Sequence, residues 1–257
     1  MAGIRLKVPA ELRTHGFTGT AQESAKAALS LLELLREMSG QQDLSSVRLL
    51  DVGCGARLVQ ALLYHDFPVQ SYTGVDVNQG VINFLRESVS DTRFSFHHAD
   101  FHNAMYNAAG LPMADHEHLP GLEGQRFDML CLFSVFTHLA PNDFAAMLRL
   151  LKAHIEKDGM LLFSVFVREP TRGGFGLIDR LQRTLSENPE KLDGVDIELA
   201  RRRPVPDFED MNPERPLMWA MYSRQYALDL VEQSGWSVQS LNPPRSCIQH
   251  FFVCRPR

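Results

Sequence analysis

Cysteine is scarce in this chain: Cys54, Cys131, Cys247 and Cys254 are the only 4 in 257 residues. None stands at CxxC spacing, so neither a zinc ribbon nor a redox dithiol is offered. Cys131 and Cys254 lie inside apolar runs and read as small buried hydrophobes, and nothing points to an oxidising compartment. Long apolar runs are missing too, which leaves no candidate membrane span. Met1-Ala2-Gly3-Ile4-Arg5-Leu6-Lys7 carries charge where a signal peptide needs an apolar stretch, so a cytoplasmic protein is expected. Nor is there an excess of positive charge. The formal net charge of −5 gives no sequence-wide attraction for nucleic acid or anionic lipid. The one basic run, Arg201-Arg202-Arg203, reads better before Pro204 as a solvated loop than as a phosphate contact. Repeats and low-complexity tracts are absent.

What remains is an ordinary globular composition, 44% hydrophobic and 22% charged, long enough for one large domain over 1–257. Ala25, Ala28, Leu29, Leu32 and Leu35 form one helical stripe from Ala21 to Met38, stopped by Gly40. Short apolar runs at Val47 to Val52, Tyr72 to Val77, Arg93 to His97, Phe127 to Phe133 and Met160 to Val167 predict strands buried on both faces. Helical segments fall between them at Leu58 to Tyr64, Gly80 to Ser88 and Asn142 to Ile155. This alternation implies an α/β fold: a doubly wound, mostly parallel sheet with helices on both faces. Two stretches break the rhythm. Residues 101–125 read as a long loop after the third strand, and 168–221 as an insertion containing one helix, Ile178 to Leu185, and suited to a lid or substrate pocket. Ser223 caps a helix to Gln233. The strands Trp236 to Leu241 and Cys247 to Cys254 are joined too tightly for a crossover, so they must be antiparallel.

In such sheets ligands bind beyond the carboxyl ends of the strands, where strand order reverses. The turn Gly53-Cys54-Gly55 falls there, after Asp51-Val52, and its glycines let a ligand approach the backbone. Asp76 ends the second strand, where a carboxylate can accept both hydroxyls of a ribose. Asp100 ends the third, where it can accept from an adenine amino group beside Phe101. A dinucleotide fingerprint would need glycine at position 58, where Leu58 stands, and no Tyr-x-x-x-Lys pair is present. That weakens a nicotinamide-dependent oxidoreductase as the alternative.

The stretches LLDVGCGARLVQAL, TGVDVNQGVINFLRE, FSFHHADF, FDMLCLFSVFTHL and KDGMLLFSVF, with SGWSV and HFFVCRP, resemble the class I S-adenosylmethionine-dependent methyltransferases. The resemblance covers roughly Val47 to Phe166 and Tyr222 to Pro256. It implies seven strands, with the last antiparallel and inserted between its neighbours, and S-adenosyl-L-methionine as cofactor. It further implies that Asp51, Gly53, Cys54 and Gly55 face the methionine moiety, Asp76 with Val77 the ribose, and Asp100 with Phe101 the adenine. Phe133 and Ser134 would line the floor near the sulfonium. Arg57 stands where the family commonly has a third glycine. It would bind a carboxylate, point outward, or mark a weakened site in a non-catalytic scaffold.

The sulfonium already activates the methyl group, so the protein has mainly to align a nucleophile, with a base where that nucleophile is a hydroxyl. His138 and His250 are the candidate bases, both near the ligand edge of the sheet. Each has an equally simple structural role, His138 fixing a loop and His250 closing a strand. Asn103, Tyr106 and Asn107 are candidates to orient a polar acceptor, and Phe175, Trp219 and Met221 candidate pocket walls. No bound metal is expected, because Phe133-Ser134-Val135 has no carboxylate where metal-dependent relatives carry one. No Asn/Asp-Pro-Pro-aromatic tetrapeptide follows the fourth strand, and no aromatics interleave with basic residues. These absences favour a small-molecule acceptor and O-methylation, with neither nucleic acid nor membrane as partner, in a monomer or homodimer.

Overall fold

Strands covered on both faces read as short continuous runs of Val, Leu, Ile and Phe, and the runs in this chain take that place in a sheet. The structure is a computed structural model and describes residues 6–13, 20–188, 206–212, 214–245 and 248–257. Arg201-Arg202-Arg203, Cys247 and part of the 168–221 insertion lie outside the described residues.

Five strands, β1 (Leu44–Val52), β2 (Val69–Asp76), β3 (Phe94–His98), β4 (Phe127–Leu132) and β5 (Ile155–Val167), lie parallel in the order β3-β2-β1-β4-β5. Order reverses between β1 and β4, which makes that edge the switch point. Two short strands, β6 (Phe208–Asp210) and β7 (Ala220–Tyr222), form a ribbon, and β7 pairs with the end of β5 at Phe166 and Val167. The chain then enters β8 (Trp236–Asn242) and returns in β9 (His250–Pro256). β9 runs antiparallel to both β5 and β8 and sits between them. Seven strands thus follow the order the resemblance implies.

The helices are α1 (Ala21–Ser39), α2 (Arg57–His65), α3 (Gln79–Ser88), α4 (Pro141–Lys152), α5 (Leu177–Glu187) and α6 (Arg224–Gln233). Local chemistry sets their ends. Thr20 and Glu23 form a reciprocal capping box at the start of α1, and Gly40 closes it at φ 70°. Asn78 and Ser223 cap α3 and α6. One face of the sheet packs against α4 and α6. There Phe136, Phe144, Phe163, Tyr222 and Phe252 form a chain of ring contacts, the shortest at 4.3 Å. Such pairs add about 0.5–1.5 kcal/mol each beyond area burial. The other face packs against α1, α2 and α3.

Two expectations need correction. The helix expected to reach Ile155 ends at Lys152, and β5 begins at Ile155 rather than Met160. Ile155 pairs with Phe127, and an irregularity between Phe127 and Met129 accommodates Glu156 to Gly159 before Met160 rejoins the ladder. His154 sits buried at this junction. Its Nε2 accepts the Leu119 N–H at 2.9 Å, and its Nδ1 donates to the Gln125 carbonyl at 3.1 Å. That ring ties the end of the 101–125 loop to the sheet. The second correction is the β6–β7 ribbon itself, where only one helix was expected before Ser223.

Candidate functional site

The parallel strands all end at one edge, and a cavity of about 620 Å³ opens there. That is within the usual range for ligand sites. Its floor is the turn after β1. The amides of Gly53 and Cys54 both donate to the Val75 carbonyl, at 2.7 and 3.1 Å. Gly53 adopts φ 71° and Gly55 φ 47°. A Cβ on Gly53 would come within 2.4 Å of Val135 Cγ2, so position 53 has no room for a side chain.

Asp76, at the end of β2, is held from both sides. Its Oδ2 accepts the Gly55 N–H at 2.8 Å, and its Oδ1 accepts the Asn78 N–H at 2.8 Å. Each oxygen keeps a further lone pair, which is the acceptor pair a vicinal diol requires. Burial raises the carboxyl pKa, against the lowering pull of the Asn78 and Gly55 amides. Asp51 lies deeper on the wall. Tyr72 Oη donates to its Oδ2 at 2.6 Å. Burial pushes Asp51 up to about 7, outweighing the donors Tyr72 and Cys131. Cys54 is buried beside them and its thiol pKa is raised, which makes it inert filling. Arg57, the first residue of α2, also lines the cavity, and burial lowers its pKa.

Val77, Ala99 and Phe101 form the wall beyond β2 and β3. Phe101 is buried, with the His116 ring edge-on at 5.1 Å. Asp100 is the first departure. It is exposed and off the wall, its Oδ1 accepting from Asn107 Nδ2 at 2.8 Å. The same amide donates to the Phe101 carbonyl at 3.1 Å, so the loop closes on itself and turns Asp100 away.

Phe133, Ser134, Val135 and His138 line the opposite end of the cavity, after β4. Ser134 takes φ 61°, and its N–H donates to Ser164 Oγ at 2.7 Å. Its hydroxyl meets Gln249 Nε2 at 2.8 Å. Gln249 and Phe251 reach the wall from the start of β9, and Phe251 meets the Phe133 ring edge-on at 6.5 Å. His138 Nδ1 lies 3.0 Å from the Leu217 carbonyl, and Tyr106 stands edge-on to its ring at 5.7 Å. Burial lowers the His138 pKa, more than the Leu217 and Met218 carbonyls raise it.

His250 is the second departure. Strand alternation sends Gln249 and Phe251 to the cavity and His250 to the other face. There it is fully buried, with Nε2 3.0 Å from Glu169 Oε1, a carboxylate also gripped by Arg224. The candidate walls Trp219 and Met221 pack instead in a satellite core with Leu177 and Met211, and Phe175 is exposed. Asn103 acts within its loop and on the His138 carbonyl, at 3.3 Å. Among the described residues no three His, Cys, Asp or Glu side chains gather as a metal site.

Sequence reasoning missed Leu12, Arg13 and Leu31, which bring the N-terminal segment and α1 onto the wall, and also Gln249. None carried a signal. Single residues ahead of a motif, or just before a strand, have no spacing to mark them.

Residues 21–241 match the family described as methyltransferase domain. Over 149 residues the chain is 32% identical to a malonyl-[acyl-carrier protein] O-methyltransferase of Bacillus cereus, covering 58% of this chain and 48% of that protein. The chain therefore spans about half the length of the curated relatives it matches. Among solved structures, magnesium protoporphyrin IX methyltransferase from Synechocystis with bound S-adenosylhomocysteine has a TM-score of 0.53 at 10% identity, covering 96% of this chain and 92% of that one. A Burkholderia thailandensis 1,6-didemethyltoxoflavin N1-methyltransferase gives 0.52 at 14%, covering 91% and 78%. At these identities the structures speak for the fold.

Proposed function

Because the chain belongs to the methyltransferase-domain family, whose cofactor is S-adenosylmethionine, we propose that it methylates a small-molecule acceptor, at oxygen. The observation that carries this reading is the pinned Asp76 carboxylate beside the Gly53–Gly55 turn, which has no room for a side chain at position 53, both on the wall of one cavity. Those groups fit a nucleoside: Asp76 accepts from the ribose hydroxyls, and Val77, Ala99 and Phe101 offer an apolar slot for the base. Asp51 and Arg57 complement the charged ends of an amino acid. The bound cofactor supplies a methyl group already activated by its sulfonium.

Everything else falls to this chain. Phe133 and Phe251 keep the far end of the cavity apolar, and Ser134 with Gln249 offers hydrogen bonds to a polar acceptor group. His138, kept neutral by burial, takes the proton from an acceptor hydroxyl. The O-methyltransferase activity named for the malonyl relatives supports oxygen as the target. His250 and Asp100, off the wall, have no part in this proposal.

Isothermal titration of the protein with S-adenosylmethionine and with NAD tests it. Binding heat with the former alone is expected. Heat with NAD alone would replace the reading with an oxidoreductase.

A further inference from the structure

The β6–β7 ribbon does not border the cavity, yet one of its atoms reaches a residue that does. Leu217, in the turn between the two strands, points its carbonyl at His138 Nδ1, 3.0 Å away. Its backbone has φ 57°, a left-handed conformation that side chains rarely adopt. Two contacts enforce it. The Leu217 N–H donates to Asp210 Oδ2 at 2.8 Å, while Asp210 Oδ1 receives the Asn212 N–H at 3.3 Å. The Leu217 side chain packs against the main core. The carbonyl is thus aimed by a carboxylate at the end of β6, by core packing and by a backbone that resists being there.

The ring it meets is equally fixed. The His138 N–H donates to the Val135 carbonyl at 2.9 Å, its own carbonyl accepts from Asn103, and Tyr106 stands against its edge. A carbonyl can only accept, so a proton must sit on Nδ1. In a neutral imidazole that leaves Nε2 with the lone pair, on the ring edge turned away from Leu217.

We infer that Asp210 and Leu217 are positioning residues that set the tautomer of His138, making Nε2 its proton acceptor towards the cavity. A histidine free in water prefers its proton on Nε2, so the ribbon reverses the intrinsic choice. The step served is a single proton transfer. With S-adenosylmethionine bound, an acceptor hydroxyl would give its proton to Nε2 as its oxygen formed the new bond to the methyl carbon. The S–CH3 bond would break with its electron pair staying on sulfur, which leaves as the neutral thioether, and the imidazolium would be held by the Nδ1–H···O bond to Leu217. This rests on the methyltransferase reading for its purpose, but the tautomer is measurable without any substrate. Held strain at one backbone position beside a site is the pattern expected where orientation is required.

The test is 15N NMR of the full chain labelled at histidine, with the His138 signals identified by their loss in His138→Gln. The wild type should show a protonated, pyrrole-type Nδ1 and a pyridine-type Nε2. Asp210→Ala should shift this signal towards the opposite tautomer, while Asp210→Asn, which still offers an oxygen to the Leu217 N–H, should keep the wild-type pattern. A wild-type His138 protonated on Nε2 overturns the inference, even if Asp210→Ala fails to fold. So does the same Nδ1–H tautomer in wild type and Asp210→Ala. Cofactor titration fails or succeeds independently, which separates this inference from the methyltransferase reading.

Discussion

Asp51 is the carboxyl whose surroundings most oppose its charge. Completely buried, it is pushed from an ordinary 3.8 up to about 7, with burial as the largest cause. At about 1.36 kcal/mol for each pH unit between the two values, folding surrenders about 4 kcal/mol once both states have lost the proton. The sign follows from proton uptake. Between the unfolded and folded values the native state holds a proton that the unfolded chain has released, so this group lowers stability as pH rises through that window. Asp51→Asn keeps an oxygen for the Tyr72 hydroxyl and removes the ionisation. The advantage of the variant over wild type in denaturant unfolding should therefore grow with pH, by about 2 kcal/mol between about pH 5.5 and about pH 8. In thermal melts that is about 4–8 °C for a domain of this size. Above about pH 8 the difference should level off. A difference that stays constant across the range would refute the claim that burial keeps this carboxyl protonated. The proposed placement of Asp51 against the ammonium group of S-adenosylmethionine carries its own expectation: wild-type affinity should rise with pH as Asp51 ionises, and the variant's should not.

Three further perturbations probe other links. Asp76→Ala should weaken S-adenosylmethionine binding about 10- to 100-fold in calorimetry, the loss of a charged acceptor, while circular dichroism remains native; unchanged affinity would remove Asp76 from the site. Gly53→Ala meets both a positive φ and Val135 Cγ2 at 2.4 Å. It should lower stability by about 1–3 kcal/mol and abolish cofactor binding, read by denaturant titration and calorimetry on the same sample. Glu209→Gln removes the carboxylate beside Arg168, whose side chain is only 5% exposed, and should destabilise the β6–β7 ribbon by about 2–3 kcal/mol. Hydrogen exchange at Phe208–Asp210 and Ala220–Tyr222 would report it, and unaltered protection there would show that the pair contributes nothing.

How much of this was legible beforehand depends on whether a residue's task leaves a pattern. The strands around the switch point were readable because burial on both faces demands continuous apolar runs, and Gly53 and Asp76 because turn and strand end each constrain residue type. β6 and β7 were not, since three residues such as Phe208–Asp210 show no periodicity and owe their pairing to Phe166 and Val167 of β5. Asp100 stands at a position the motif favours, yet a hydrogen bond from Asn107, seven residues on, turns it outward. His250 was misjudged by one residue of strand alternation: its neighbours Gln249 and Phe251 take the cavity side instead. Leu217, whose carbonyl matters more than its side chain, is a kind of residue that side-chain reasoning passes over.

The place of β9 has a consequence for how the molecule is made. The strand that comes last in the order of elements is an interior one, bonded on both sides. As the chain leaves the ribosome, the edge of β5 from Leu161 to Val165 must wait, unpaired and apolar, while 85 residues (from position 165 to position 250) are still being added. Open edges of this kind invite pairing with other chains. β8 cannot cover it, because β8 reaches the sheet only through β9. Premature termination between Asn242 and His250 would leave the sheet with the Leu161–Val165 edge unpaired. Nascent-chain protection of β5 should accordingly appear only after His250–Pro256 has cleared the exit tunnel.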